Sequence, residues 1–149
     1  MPNDDEKFYT LTGYAKKNEE DISATMEDYL EMIFRIERID KYVRINSLAS
    51  KLNVAPSSAS KMVGKLKEHG LIEFQRYGII QQTSKGWEMG KYLFYRHDLL
   101  NQFFCLINQS SSELELVEKI EHYIDKKTIE NISNVMPIIK KAQKSTKPL

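Results

Sequence analysis

Three residues towards the C-terminal end of the sequence have side chains that could bind a metal ion. Glu118, Glu121 and His122 lie three and four positions apart, so a continuous helix would place all three on one side. Two carboxylates and an imidazole on one face either bind a divalent cation or form a cluster of charges that is costly to maintain. The spacing therefore predicts a metal site that other elements must complete.

Three further candidate ligands lie elsewhere in the sequence. Asp28 and Glu31 are three positions apart in one predicted helix, and His97 lies on the apolar face of a later one. Taken alone, Asp28 could cap its helix, Glu31 could be a surface acid, and His97 could be a hydrogen-bonded core histidine. The pair Asp28 and Glu31 lies beside a core face, and so does the cluster of Glu118, Glu121 and His122. Together with His97, these residues favour a metal site that faces inward.

The apolar periodicity predicts the helices that must position these ligands. The first is predicted over 25–39, with the Thr25 hydroxyl as its N-cap and Asp28 in capping-box spacing. The next helix is predicted over 84–108, another ends near 124 and carries Glu118 to His122, and the last covers 127–141. The last helix is predicted to turn these residues inward: Ile129, Ile132, Val135 and Ile138 or Ile139.

The middle of the sequence predicts a helix-turn-helix followed by a hairpin. Apolar residues mark a short helix over 45–52, residues 53–55 form a turn, and Pro56 suits the first position of a second helix. Small residues would let the two helices cross closely: Ala49, Ala59 and Gly64. Gly70 ends the second helix, and a wing hairpin follows, with strands over 71–75 and 79–82 joined by a turn at 76–78. This pattern is typical of DNA-binding domains.

The same region is basic, as a surface that meets phosphates should be. Between Lys41 and Lys91 there are nine Lys and Arg residues against three Asp and Glu residues, whereas the rest of the chain is net acidic. The second helix would present serine hydroxyls and lysines to the major groove, and the wing would add an arginine. The predicted DNA-binding residues are Ser57, Ser58, Ser60, Lys61, Lys65 and Arg76.

Composition narrows the class of protein. No apolar run approaches the roughly 18 residues of a membrane span, and no apolar signal core follows a basic start. The single cysteine, Cys105, lies in an apolar stretch, which favours an inert buried thiol over a nucleophile. We therefore expect a cytoplasmic protein.

Four motifs together carry a resemblance to a known family. They are Met26–Glu31, Pro56–Val63, Tyr95–Leu100 and Glu118–His122. Their order and spacing resemble the manganese transport regulator family, within the diphtheria-toxin-repressor superfamily of metal-dependent repressors. The resemblance covers residues 25–140. It implies a winged-helix homodimer, joined through C-terminal helices, that binds palindromic operator DNA when metal-loaded and represses genes for metal uptake.

The resemblance also implies a complete set of metal ligands. They are Asp28, Glu31, His97, Glu118, Glu121 and His122. Four carboxylates and two imidazoles suit Mn²⁺, and the iron-responsive branch has a methionine at the place of Glu31 and a cysteine at that of Glu118. We expect two Mn²⁺ ions per protomer, bridged by Glu31 and Glu121, with Fe²⁺, Zn²⁺ or Cd²⁺ as possible substitutes.

The predicted fold is mainly α: an N-terminal winged helix-turn-helix with a small β-hairpin wing, followed by an all-helical metal-binding and dimerisation domain. The predicted divisions are a flexible extension at 1–24, the winged helix-turn-helix DNA-binding domain at 25–90, the helical metal-binding and dimerisation domain at 91–142, and a frayed tail at 143–149. Without metal, repulsion among the four carboxylates should leave the DNA-binding lobe loosely placed.

The predicted function is therefore an Mn²⁺-dependent transcriptional regulator, a non-enzymatic repressor of metal-uptake genes. One alternative is a winged-helix regulator that responds to Fe²⁺ or to an organic effector. Another is a di-metal carboxylate enzyme, which usually carries two Glu-x-x-His motifs. The chain has one Glu118-x-x-Glu121-His122 motif and no second, which disfavours the enzyme.

Overall fold

The computed structural model describes residues 22–146. Most of the predicted extension at 1–24, and the last three residues of the predicted tail, lie outside this range. In chain order the elements are α1 (Ala24–Ile39), β1 (Val43–Arg44), α2 (Ile45–Leu52), α3 (Pro56–Glu68), β2 (Ile72–Phe74), β3 (Ile79–Gln82), α4 (Ser84–Asn108), α5 (Leu114–Ile120) and α6 (Lys126–Ser145). The predicted mainly α fold, with a winged helix-turn-helix before a helical half, is confirmed.

Helix α1 begins slightly earlier than predicted, and its cap is a different hydroxyl. The Oγ of Ser23 accepts a hydrogen bond from the Met26 amide at 3.2 Å, so the prediction of Thr25 as N-cap was wrong. Met26 in the first turn is buried in the core with Tyr29 and Ile33. Because this apolar face packs against α2 and α3, α1 anchors the helix-turn-helix.

The helix-turn-helix and its wing follow the predicted order. Asn53 adopts a left-handed conformation between α2 and α3, with φ 55°. The wing turns through Tyr77 and Gly78, both at positive φ. The sheet has three antiparallel strands in the order β1-β3-β2. Strand β1 was missed because two residues are too short to show an alternating pattern.

Two glycines in α4 allow close packing against neighbouring elements, whereas the glycine predicted to do so lies in α3 and does not. A Cβ at Gly64 would have no neighbour within 4 Å, so the predicted role of Gly64 in a close helix crossing was wrong. A Cβ at Gly86 would overlap the carbonyl oxygen of Leu71, and one at Gly90 would lie 2.9 Å from the Cβ of Phe34. These two glycines bring α4 against the wing and α1.

The helical half differs from its prediction in two places. Helix α5 ends at Ile120 and a 3₁₀ turn follows over Glu121–Tyr123, so Glu118 and Glu121 do not share one continuous helix. Helix α6 extends into the predicted tail as far as Ser145. Its buried residues include Ile129 and Met136, whereas Val135, which was predicted to face inward, is exposed. Of the two alternatives Ile138 and Ile139, Ile139 is the one that is partly buried. No helix between residues 22 and 146 is long and apolar enough to cross a membrane.

Candidate metal centre

Helices α1 and α4 and the 3₁₀ turn bring five of the six predicted ligands together. Among the described residues, two groups could each hold a metal ion, and the ligand atoms in each group lie within 4.8 Å of one another. The groups are Asp28, Glu121 and His122, and Glu31, His97 and Glu121. Glu121 belongs to both groups, so they form two adjoining parts of one centre.

Glu121 is the most buried carboxylate of the centre, with 1% of its surface exposed. Its Oε2 lies 2.8 Å from the Nδ1 of His97. Its Oε1 is buried and has no hydrogen-bond partner among the described residues, although the Nε2 of His122 is 3.8 Å away. Because a buried acceptor without a partner carries a desolvation cost of about 1–3 kcal/mol, this oxygen fits a cation ligand.

The first group depends on His122, which lies between two carboxylates. Its Nε2 is 2.9 Å from the Oδ1 of Asp28, and its Nδ1 is 3.0 Å from the Oε1 of Glu27. Burial lowers the pKa of His122, but the hydrogen bonds to Asp28 and Glu27 outweigh burial and raise the pKa to about 10. In the metal-free protein the ring is therefore an imidazolium that neutralises its acidic neighbours.

The second group is compensated in a similar way. The hydrogen bond to Glu121 raises the pKa of His97, against the lowering effect of burial. Burial raises the pKa of Glu31, while a hydrogen bond from Arg35, at 3.0 Å, acts in the opposite direction. Repulsion among the carboxylates stays a prediction: Glu121 raises the pKa of Glu31, while Arg35 and His97 act in the opposite direction.

Glu118 lies at the edge of the centre and belongs to neither group. Its side chain is 57% exposed, and its Oε1 is 3.5 Å from the Nδ1 of His97. The turn after Ile120 changes the chain direction, so the three-residue spacing between Glu118 and Glu121 does not align their side chains as it would on a helix.

Sequence reasoning missed three charged residues that support the centre. Arg35 follows Glu31 by four positions, a spacing that could have predicted their ion pair. Glu27 and Arg96 meet across 69 positions, at 3.3 Å between the Oε1 and Nη2 atoms. No local pattern in the sequence signals such a contact.

The predicted DNA-binding residues lie on a separate surface. Helix α3 buries Ala59, Val63 and Leu66 and turns its polar residues outward. All six predicted residues are exposed, five on α3 and one in the turn between β2 and β3: Ser57, Ser58, Ser60, Lys61, Lys65 and Arg76. Lysines and an arginine without burial can reach phosphates at little desolvation cost.

Comparisons of sequence identify related proteins. A family model described as "Iron dependent repressor, N-terminal DNA binding domain" matches residues 21–79. The HTH-type transcriptional regulator MntR of Listeria welshimeri is 37% identical over 134 residues, which cover 83% of this chain and 94% of that protein. The regulator of the same name from Shouchella clausii is 37% identical over 120 residues, covering 80% of this chain and 84% of that protein.

Solved structures share the fold. The structure of the manganese regulator SloR has a TM-score of 0.64 at 24% identity. The structure of ScaR with bound Zn²⁺ has a TM-score of 0.65 at 20% identity. Each match covers 75% of this chain and 53% of the other, so the chain spans about half the length of these two proteins.

Proposed function

The chain belongs to the MntR family of helix-turn-helix transcriptional regulators, and from that premise we propose that it is an Mn²⁺-dependent repressor of metal-uptake genes. Regulators of this family are metal-dependent DNA-binding proteins and not enzymes. We further propose that it acts in the cytoplasm, where its operator DNA is. The observation that carries the proposal is the buried Oε1 of Glu121, which lies 3.8 Å from the Nε2 of His122 and has no hydrogen-bond partner among the described residues.

The donor set supports manganese. The two groups offer carboxylates and imidazoles and no cysteine, which suits a hard or borderline cation. We propose that these residues hold two ions: Asp28, Glu31, His97, Glu121 and His122, with Glu118 joining from the edge. Because Glu121 alone belongs to both groups, we propose that its carboxylate bridges the two ions. Glu31 belongs to one group, so we propose it as a ligand of one ion and not as a bridge. Fe²⁺ accepts the same donors and is the main competitor, while Zn²⁺ and Cd²⁺ are possible substitutes.

The chain couples this centre to DNA through α1. One face of the helix carries Asp28 and Glu31, while its apolar residues Tyr29 and Ile33 pack into the core shared with α2 and α3. A bound cation would supply the positive charge that holds the carboxylates together, in place of the protons on the imidazoles. Asp28 and Glu31 then fix α1 against α4, which sets the orientation of the recognition helix α3.

Such a switch needs metal to favour one arrangement over another. If the DNA-competent arrangement binds metal 100-fold more tightly, the preference is worth about 2.7 kcal/mol.

We propose that the regulator binds a palindromic operator as a homodimer. Support comes from large apolar side chains that are exposed in the C-terminal half: Ile107, Leu114, Tyr123, Val135 and Ile138. Burial of such side chains against a second copy would remove apolar surface from water. Two recognition helices related by a two-fold axis would then contact two half-sites about one helical turn apart.

The first test is titration of metal-free protein with Mn²⁺, followed by the electron paramagnetic resonance signal of the free ion. We expect loss of signal at two ions per protomer in the wild type and much weaker binding in Glu121→Ala. The control is Glu115→Ala, an exposed acid paired with Lys119 on α5. Wild-type protein that leaves the signal unchanged at micromolar concentration would contradict the proposal.

The second test concerns DNA. Selection of duplexes from a random pool, with Mn²⁺ and without, should enrich a palindrome only in the presence of the metal. Equal enrichment without Mn²⁺ would contradict metal-dependent DNA binding, even if the metal site itself is correct. A parallel anaerobic selection with Fe²⁺ at the same free concentration tests selectivity, and equal enrichment there would contradict a manganese-specific regulator.

A further inference from the structure

Glu27 and Arg96 form an ion pair directly behind His122. Glu27 belongs to neither group of candidate ligands, yet its Oε1 lies 3.0 Å from the Nδ1 of His122. The opposite ring nitrogen, Nε2, lies 2.9 Å from Asp28 and 3.8 Å from Glu121. The two nitrogens therefore face different surroundings, and only Nε2 faces the candidate ligands.

Arg96 holds Glu27 in this position. Its side chain comes from α4 and is almost fully buried, with 4% exposed. Its Nη2 and Nη1 atoms lie 3.3 and 3.5 Å from the two carboxylate oxygens of Glu27. A buried guanidinium requires an anionic partner, and its planar fork fixes the orientation of the carboxylate that it contacts.

The position of the ring protons follows from these neighbours. Both nitrogens of His122 face carboxylates, at 3.0 Å to Glu27 and 2.9 Å to Asp28, and ionised carboxylates can only accept hydrogen bonds. Each nitrogen therefore donates in the metal-free protein. The Nη2 of Arg96 lies 3.3 Å from Nδ1, and both nitrogens share the Oε1 of Glu27 as an acceptor, at 3.3 and 3.0 Å.

We propose that Glu27 and Arg96 are positioning residues for the metal centre. Glu27 accepts a hydrogen bond from the Nδ1–H of His122 and fixes the ring so that Nε2 faces Asp28 and Glu121, while Arg96 fixes Glu27. This inference rests on the proposed function, since it assumes that Nε2 is a metal ligand. A carboxylate on the far nitrogen fixes the tautomer of a ligating histidine and increases its basicity, and loss of such a partner typically lowers metal affinity 10–100-fold.

The affinity for Mn²⁺ separates positioning from a general structural role. We expect Glu27→Ala to lower the affinity 10–100-fold, and Glu27→Gln to lower it less because the amide oxygen can still accept from Nδ1–H. Glu115→Ala should bind as the wild type does. In a His122→Ala background, Glu27→Ala should have no further effect, because Glu27 acts through the imidazole. An equal loss in both backgrounds would overturn the proposal.

A second readout uses the metal-free protein. With ¹⁵N-labelled histidine, the Nδ1–H of His122 should give a slowly exchanging proton signal that disappears in Glu27→Ala and persists in Glu115→Ala. Persistence in Glu27→Ala would overturn the positioning role. Wild-type protein that does not bind Mn²⁺ contradicts the proposed function itself. If the wild type binds and Glu27→Ala binds equally well, the proposed function stands and this inference fails.

Discussion

Single residues in the centre balance charge before any metal binds. His122 faces Glu27 and Asp28, His97 faces Glu121, and the Nη2 of Arg35 is 3.0 Å from Glu31. A metal ion bound at the proposed centre would therefore displace a proton from His122 and compete with Arg35 for Glu31. We therefore expect the affinity of the proposed centre for metal to depend on pH through His122.

Mn²⁺ binding should release protons. Burial lowers the pKa of His122, but the hydrogen bonds to Asp28 and Glu27 raise it to about 10, so the ring carries both protons at neutral pH. A ligating imidazole must lose one of them, and the apparent affinity should rise with pH by up to about tenfold per unit for each such histidine below its pKa. Calorimetric titration at pH 7 in two buffers of different ionisation enthalpy measures the protons released.

The third histidine provides the control for this experiment. His69 is exposed at the end of α3, with its Nδ1 2.9 Å from the carbonyl oxygen of Lys65. His69→Ala should release as many protons on Mn²⁺ binding as the wild type. A heat of binding that is independent of the buffer would show that the imidazoles are already neutral in the metal-free protein, contrary to this prediction.

At the scale of elements, periodicity predicts most of the fold and only part of the centre. The bounds of α4 and β3 are those predicted, because strong apolar patterns and clear capping or turn residues mark them. Strand β1 and the 3₁₀ turn at Glu121–Tyr123 were missed, since two or three residues carry no period. The ligand motifs predicted which residues to consider, but the ion pair of Glu27 with Arg96 is a tertiary contact without a local signal.

The packing of α4 against the wing should depend on Gly86. A Cβ there would overlap the backbone oxygen of Leu71, which cannot move without shifting the start of β2. We expect Gly86→Ala to lower the free energy of unfolding by about 3 kcal/mol through overpacking. Gly64→Ala, in open space on a helix, should raise it by about 0.5–1 kcal/mol through helix propensity. Urea unfolding of the metal-free variants measures both, and equal midpoints would contradict the close approach at Gly86.

For the whole molecule, large apolar side chains are exposed in both halves, and the helical half combines them with the smaller core. The winged helix-turn-helix buries a core that extends from Met26 to Leu93 and turns serines and lysines outward. The helical half has a smaller core around Leu100 and Ile129 and leaves several large apolar side chains in solvent, of which Ile138 is 67% exposed. Apolar surface of this kind in a family that binds operator DNA supports a second copy of the chain as its cover.

A charge on this surface should separate the protomers and weaken DNA binding without disturbing the metal centre. Ile138→Glu and Leu114→Glu each place a carboxylate where the proposed interface would exclude water, and an unpaired buried charge is strongly destabilising. Sedimentation velocity with Mn²⁺ should show dimers for the wild type and monomers for at least one variant, with Mn²⁺ affinity unchanged. Ile39→Glu is the matched control, because Ile39 is 86% exposed at the end of α1 in the other half. The monomeric variant should also lose affinity for the selected palindrome, because a monomer contacts one half-site and a dimer contacts two. Dimers in both variants would place the interface elsewhere.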